Sequence, residues 1–322
     1  MADKVFKVPL TKHYSSNFKV ADDNGKYHLN STYLQLFEED DDVEIESEIK
    51  NNHNISYFGK LWFSNSFETT QLDFIFDTGS SWLWAGIKEW TFCPSLEKLP
   101  SSQLYGWNGN KFLHYKSGTA YGEIWFANVS ASPNTDEAVS GMKMVAAESA
   151  YFNGEYIVQW DGILGLSPTP RLGSDSFVLK MKQQGIIDTA AFGVYYGDDK
   201  YGSEITFGGI DTDRVPSIDK LTFTDLKDLD YWSVNIRTIK YGDTVLNKEV
   251  RYGLINTGTP MIILPYEDFK SFKTEAEKGN ACLSYSFTVQ CEWEDLSNDG
   301  LSDPIYAKFN SWEYKISPDQ YV

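Results

Sequence analysis

Two stretches of this 322-residue chain carry a polar side chain out of an apolar run and into a sharp turn. In the first, Leu72-Asp73-Phe74-Ile75-Phe76 runs into Asp77-Thr78-Gly79-Ser80. In the second, Tyr252-Gly253-Leu254-Ile255 runs into Asn256-Thr257-Gly258-Thr259. Both then return to apolar residues, Trp82-Leu83-Trp84 and Met261-Ile262-Ile263-Leu264. A strand that delivers a carboxyl into a glycine-containing turn fixes it at a loop tip, and glycine lets the backbone approach a neighbour closely. Hydroxyls of threonine and serine can tie such a loop to a partner loop. Two carboxyls held together in this way share one proton, because like charges at hydrogen-bonding distance do not both ionise. The ionised one can then act as general base toward water while the protonated one polarises a peptide carbonyl. A single turn of this kind is usually only a turn. A doubled one with matched flanks is an internal repeat.

The scaffold that must hold these turns reads as β throughout. Tyr57-Phe58-Gly59-Lys60-Leu61-Trp62-Phe63 alternates, Ser64-Asn65-Ser66 has hairpin-turn composition, and 67–76 is the return strand. Further strands are expected at 111–115, 122–129, 142–147, 190–196, 204–207, 220–223 and 233–239, and one short helix at 177–184. Aromatic residues make up 16% of the chain, which suits pleated, half-buried surfaces. Many short strands separated by turns imply an all-β protein.

Composition removes several function classes. The net charge is −18 and no basic patch occurs, which argues against nucleic acid as a partner. No run of about 20 apolar residues is present, so no transmembrane helix is expected. His13, His28, His53 and His114 are scattered without ligand spacing, so neither a metal nor a cofactor is implied. No nucleophile elbow supports a Ser-His-Asp site. Cys282 and Cys291 flank a short apolar stretch and form a candidate disulfide in a secreted chain, with Cys93 reading as a small buried hydrophobe. Glycosylation tripeptides occur at Asn30, Asn54 and Asn128, but such tripeptides arise often by chance and the first residues lack the apolar core of a signal peptide, so the compartment stays open between a signal lying upstream and a protein that is not secreted. Residues 1–52 differ in texture, with Lys4, Lys7, Lys12 and Lys19 preceding the acidic run from Glu38 to Asp42.

The repeated turn and its surroundings resemble the pepsin-like aspartic peptidases. Phe76-Asp77-Thr78-Gly79-Ser80-Ser81 followed by Leu83-Trp84 is similar to the family's first active-site motif. Leu113-His114-Tyr115-Lys116-Ser117-Gly118-Thr119 resembles the flap hairpin. Asp161-Gly162-Ile163-Leu164-Gly165-Leu166 resembles the apolar-apolar-Gly segment that completes the first lobe's loop crossing. Thr206-Phe207-Gly208-Gly209-Ile210-Asp211 and Tyr231-Trp232 resemble stretches of the second lobe, and Val5 to Leu10 resembles the start of a basic prosegment.

The resemblance implies a bilobal β fold, with a prosegment-like region at 1–52, an N-terminal lobe at 53–197 and a C-terminal lobe at 198–322. It implies an endopeptidase with Asp77 and Asn256 at the catalytic positions. Gly79, Ser80, Trp84, Tyr115, Ser117, Gly258 and Thr259 would then face a bound peptide. It also points to a secreted or lysosome- or vacuole-like compartment.

Four departures from the family pattern follow. Asn256 stands where the second catalytic Asp belongs; an amide keeps the shape but cannot relay a proton, so very weak or no turnover is expected, with Asp77 titrating like an ordinary aspartate. Pro260 replaces a serine, losing a hydroxyl and an N–H. Lys116 sits where the flap commonly has glycine. No apolar-apolar-Gly segment follows Asn256 either, so the second lobe is expected to be incomplete: the sequence is a fragment, a partner supplies the missing strands, or the lobe is loose. The alternatives are an active acid endopeptidase and a structural or interaction protein that keeps only the scaffold.

Overall fold

The computed structural model describes residues 6–14, 55–88, 97–116, 118–152, 160–196, 203–211, 213–215, 221–247, 249–259, 261–279, 282–285, 288–291, 303–309 and 312–317. The chain forms two compact units, one of Met1–Leu221 with Asn256–Thr259, the other of Thr222–Ile255 with Pro260–Val322. The turn around Asn256 thus belongs to the first unit.

Unit one is a ten-stranded sheet built from β1 (Phe6–Tyr14), β2 (Ile55–Ser64), β3 (Thr69–Asp77), β4 (Leu83–Gly86), β5 (Asn110–Tyr115), β6 (Gly118–Ser130), β7 (Val139–Phe152), β8 (Gly162–Gly165), β9 (Phe192–Tyr195) and β10 (Ser203–Phe207). Their order is β5-β6-β7-β4-β8-β3-β2-β1-β10-β9, and β2 also pairs with β6. That extra pairing closes β6, β7, β4, β8, β3 and β2 into a ring, which removes most exposed strand edges. The N-terminal strand β1 lies between β2 and β10, antiparallel to both.

Alternation explains why β3 sits where it does. Leu72, Phe74 and Phe76 point into the core, with Leu61, Phe63, Leu83, Met142, Met144, Leu164 and Phe177. The helix α1 (Phe177–Gln183) packs Phe177, Val178 and Met181 on this core, and its Ser176 N-cap hydroxyl accepts the Leu179 N–H.

The decisive crossing is made by β8, which runs parallel to β3 and antiparallel to β4. It therefore fills the space between the two strands that flank the Asp77 turn. A Cβ on Gly165 would come within 2.5 Å of the Ser81 and Trp82 backbone, so only glycine fits there. At its start, the Asp161 carboxylate accepts the Asp73 N–H at 2.7 Å and the Glu97 N–H at 2.8 Å.

In unit two, β11 (Ser233–Tyr241) is the central strand. The order β12 (Thr244–Val245), β11, β16 (Ile305–Phe309), β17 (Trp312–Ile316) forms the sheet, with β13 (Arg251–Leu254) also on β11. A separate ribbon of β14 (Cys282–Tyr285) and β15 (Thr288–Cys291) places Cys282 directly opposite Cys291. Helix α2 (Tyr266–Ala276) buries Asp268, Phe272 and Ala276. The Arg251 guanidinium donates from Nε and Nη2 to both Asp268 carboxylate oxygens at 3.2 Å, clamping the helix to β13.

Several expectations need correction. Helix α2 is absent from the sequence reading, although Asp268, Phe272 and Ala276 recur every four residues, the spacing of a buried helical face. Residues 221–223 form no strand, and Phe223 is exposed. The return strand begins at Thr69 rather than 67, because Asn65 Oδ1 accepts the N–H groups of Phe67 and Glu68 and holds a longer turn. The apolar run Met261 to Leu264, matched in the repeat to Trp82-Leu83-Trp84, lies outside the core, with Met261, Ile262 and Ile263 exposed. Cys93 and the sequons at Asn30 and Asn54 lie wholly or partly outside the described residues, whereas Asn128 lies within β6, its side-chain oxygen accepting from the Tyr105 hydroxyl at 3.0 Å.

Burial outweighs the two N–H bonds at Asp161 and pushes its carboxyl up to about 6, with the nearby Asp73 and Glu97 charges adding in the same direction. The folded state thus holds this proton more tightly than the unfolded chain, whose value is 3.8. Its contribution is fully present below about pH 4 and is lost as pH rises through 6. Unfolding midpoints measured from pH 4 to 7 are expected to fall, and Asp161→Asn is expected to make that fall shallower; an unchanged slope in the variant would contradict the assignment.

Candidate active site

The site is built from two turns that answer each other residue by residue. At the end of β3, Asp77 is buried, and its Oδ1 accepts the Gly79 N–H at 2.9 Å. In the second turn, Asn256 Oδ1 accepts the Gly258 N–H at 2.8 Å. That bond fixes the amide orientation, since only oxygen can accept it. The Asn256 NH2 then lies toward the first turn.

The threonines cross over. Thr78 N–H donates to Thr257 Oγ1, and Thr257 N–H donates to Thr78 Oγ1, both at 3.0 Å. Thr257 Oγ1 donates in turn to the Phe76 carbonyl at 2.5 Å. The glycines cross over too. A Cβ on Gly79 would sit 2.7 Å from Asn256 Nδ2, and one on Gly258 would collide with the Asp77 carboxylate. Each glycine therefore makes room for the other turn's polar side chain.

The segment after β8 backs the first turn. Leu166 N–H donates to the Asp77 carbonyl at 2.8 Å and Ser167 N–H to the Ser80 carbonyl at 2.9 Å. Trp84 is fully buried and packs against Phe152 and Trp160. Its indole N–H faces the Tyr115 hydroxyl. The Ser80 hydroxyl is buried beside both Asp77 and Tyr115 as a polar neighbour, without a hydrogen bond of good geometry to either.

Burial is the largest influence on Asp77 and raises its carboxyl above the ordinary aspartate value. The Ser80 hydroxyl, the Gly79 N–H and the Arg171 charge oppose it without cancelling it. This corrects the expectation of ordinary titration: removing a second acid takes away one cause of elevation, but enclosure by both turns supplies another. Tyr115 is also raised, by burial first and the Asp77 charge second, and stays a neutral phenol.

The structure thus brings Asp77, Asn256, Gly79, Gly258, Ser80, Trp84 and Tyr115 together. Thr259 is half-buried at the end of the second turn and takes no part in the bonds above. Ser117 and Pro260 lie outside the described residues. Sequence reasoning gave no signal at Arg171, five residues after Leu166; the Arg171 carbonyl meets the Ser81 hydroxyl at 3.5 Å. It also missed Tyr196, whose ring lies 4.0 Å from that of Tyr57 and whose hydroxyl donates to the Thr257 carbonyl at 3.5 Å.

The sequence matches the eukaryotic aspartyl protease family over residues 56–322. This chain belongs to that family. Its bilobal all-β architecture is the pepsin-like one. Among similar proteins, cathepsin E of Aquarana catesbeiana is 27% identical over 341 residues, covering 99% of this chain and 81% of the relative. Vacuolar protease A of Neurospora crassa is 26% identical, with the same two coverages. Cathepsin E-B of Xenopus laevis is 31% identical over 292 residues, covering 84% and 68%.

The threonine crossing generates a stability test. Thr257→Val strips the acceptor from the Thr78 N–H and the donor from the Phe76 carbonyl, both in the enclosed turn. A loss of about 1–3 kcal/mol is expected in chemical denaturation, and combining it with Thr78→Val is expected to cost less than the sum of the two. Full additivity would show that the bonds do not act as a unit.

Proposed function

We propose that this chain is a peptide-binding aspartic endopeptidase homologue that hydrolyses peptide bonds very weakly or not at all. The observation that carries this reading is the place of Asn256. Its side-chain oxygen makes the same bond within its turn that the Asp77 oxygen makes in the first, so the amide stands in for a carboxyl in shape.

What the amide lacks is a transferable proton. In a two-acid site, the ionised carboxylate takes a proton from the attacking water and returns it to the departing amine nitrogen, while the protonated one lends its proton to the carbonyl oxygen and takes it back as the tetrahedral intermediate collapses. Asp77 retains the first role whenever it is ionised. Asn256 can donate a hydrogen bond to a carbonyl oxygen but cannot pass a proton on. General acid–base catalysis is commonly worth about 10²–10⁴-fold, and that is the deficit assigned to Asn256.

Peptide binding needs less than catalysis does. In this reading the Tyr115 ring, packed on Phe152 as is the buried Trp84 indole, faces the peptide, and Gly79, Ser80, Ser117, Gly258 and Thr259 supply backbone and hydroxyl partners. Residues 1–52 are read as a prosegment, and in this reading the strand Phe6–Tyr14, paired with β2 and β10, is folded onto the body before any cleavage.

The test is a peptide-cleavage assay across acidic pH, run on the unmodified chain and on Asn256→Asp. The expected result is little or no turnover in the first and a gain of about 10²-fold or more in the second. Robust cleavage by the unmodified chain would favour an active endopeptidase instead.

A further inference from the structure

Two lysines of this acidic chain meet at one corner beside the first turn. Lys111 Nζ donates to the Leu172 carbonyl and Lys143 Nζ to the Gly173 carbonyl, each at 3.0 Å. Leu172 and Gly173 are successive left-handed residues, at φ 53° and 86°, a conformation that a residue other than glycine rarely adopts. Leu172 is exposed, so its conformation brings it no burial. Its effect is to present adjacent carbonyls to two ammonium groups. Asp175, further along the same loop, is already paired with Lys180 at 3.0 Å and accepts the Lys143 main-chain N–H at 2.9 Å. Among the described residues, Lys111 and Lys143 make no ion pair, although the chain has a net charge of −18. Each ammonium spends one of its three donors on a carbonyl and keeps the others.

The corner adjoins the site from two sides. Ser81, four residues after Asp77, reaches the Arg171 carbonyl with its hydroxyl at 3.5 Å. Lys111 lies over the Trp82 ring, 5.0 Å from its centre. On β5, alternation puts Lys111, Leu113 and Tyr115 on one face. Leu113, Trp82 and Trp84 pack in one cluster with Tyr115 against it. Lys111 is thus on the Tyr115 face of the hairpin, about 13 Å along the strand. The Trp82 indole N–H is buried without an acceptor. The ring atom nearest the place of a Gly173 Cβ is Cζ2, at 3.9 Å, beside the Nε1 side of the indole. The unanswered N–H dipole therefore borders the same corner as the two charges.

We propose that this corner is a specificity site for the bound peptide, in which Lys111 and Lys143 receive an aspartate or glutamate side chain, so that the chain selects acidic peptides. The inference rests on the peptide-binding reading given above. Pinning two carbonyls needs donors but not charge, so a neutral amide would serve that purpose equally. Two unpaired ammonium groups do something more. An apolar peptide side chain placed here would strip water from them without compensation, which is unfavourable. A carboxylate would take up their remaining donors in charge-assisted bonds. The Trp82 ring under Lys111 holds the stem while the charge stays at the surface. An extended peptide rises about 3.3 Å per residue, so the selected acid lies within about four residues of the position that faces Tyr115.

The experiment is calorimetry on the full chain at about pH 6, where a peptide glutamate is ionised. The probes are peptides with a secondary alcohol in place of the scissile amide. Glutamate is moved one position at a time through the residues on either side, each peptide against its glutamine twin. At one position the glutamate peptide is expected to bind roughly fivefold tighter than its twin, and the difference is expected to shrink with added salt. In Lys111→Gln/Lys143→Gln the difference is expected to fall below about twofold, with the affinity of the glutamine twin unchanged. Peptides that bind with no glutamate preference at any position overturn the proposal and leave peptide binding standing, as does a preference that survives the double variant. Failure of every peptide to bind overturns both. If the double variant does not fold, the two single variants decide: a reduced preference in either supports the proposal, and a full preference in both overturns it.

Discussion

The reciprocal bonds between Thr78 and Thr257 are the constraint on which the rest of the site depends. Each N–H finds its acceptor on the other turn. Neither turn could bury its backbone alone without leaving a donor unsatisfied. Once the crossing forms, the glycines come face to face with the opposing polar side chains, and Asp77 is enclosed. The β8 crossing then fixes the first turn from behind, through Gly165 against Ser81 and Trp82 and through the Leu166 and Ser167 N–H groups. The parts form a closed sequence: repeat, crossing, enclosure, altered acidity.

The two halves of the repeat are supported unequally. In the first, β3 and β4 both pair with β8, and β4 is wholly buried. In the second, β13 pairs with β11 among the described residues, and the run at Met261 to Ile263 is exposed rather than strand. The local geometry of the Asn256 turn nevertheless mirrors that of Asp77. Asn256–Thr259 groups with unit one, to which Thr257 is hydrogen-bonded. An amide at 256 fits this arrangement because Oδ1 needs only to accept one N–H.

Much of this was legible in the sequence because it lies in local pattern. Alternation in β3, the doubled turn and the apolar segment at Ile163-Leu164-Gly165 each state a backbone requirement through adjacent residues. What escaped depends on distance in the chain. The Ser81 hydroxyl reaches the Arg171 carbonyl across 90 positions, and Tyr196 reaches Thr257 across 61. The acidity of Asp77 was misjudged because the sequence displays the missing charge at 256 but not the enclosure that replaces its effect. Helix α2 was the avoidable miss. Its buried positions carry the period of four, but the apolar run before it and the aromatic residues around it gave the segment a β texture.

The central claim is that one ionisable group governs this site. It is tested most directly by the pH dependence of affinity for a peptide that carries a secondary alcohol in place of the scissile amide, measured by calorimetry on the unmodified chain. The hydroxyl can donate to ionised Asp77 and accept from the Asn256 amide. Affinity is therefore expected to rise through a single ionisation with a midpoint above 3.8, the ordinary aspartate value. Two resolved ionisations, or no affinity at any pH, would contradict the account.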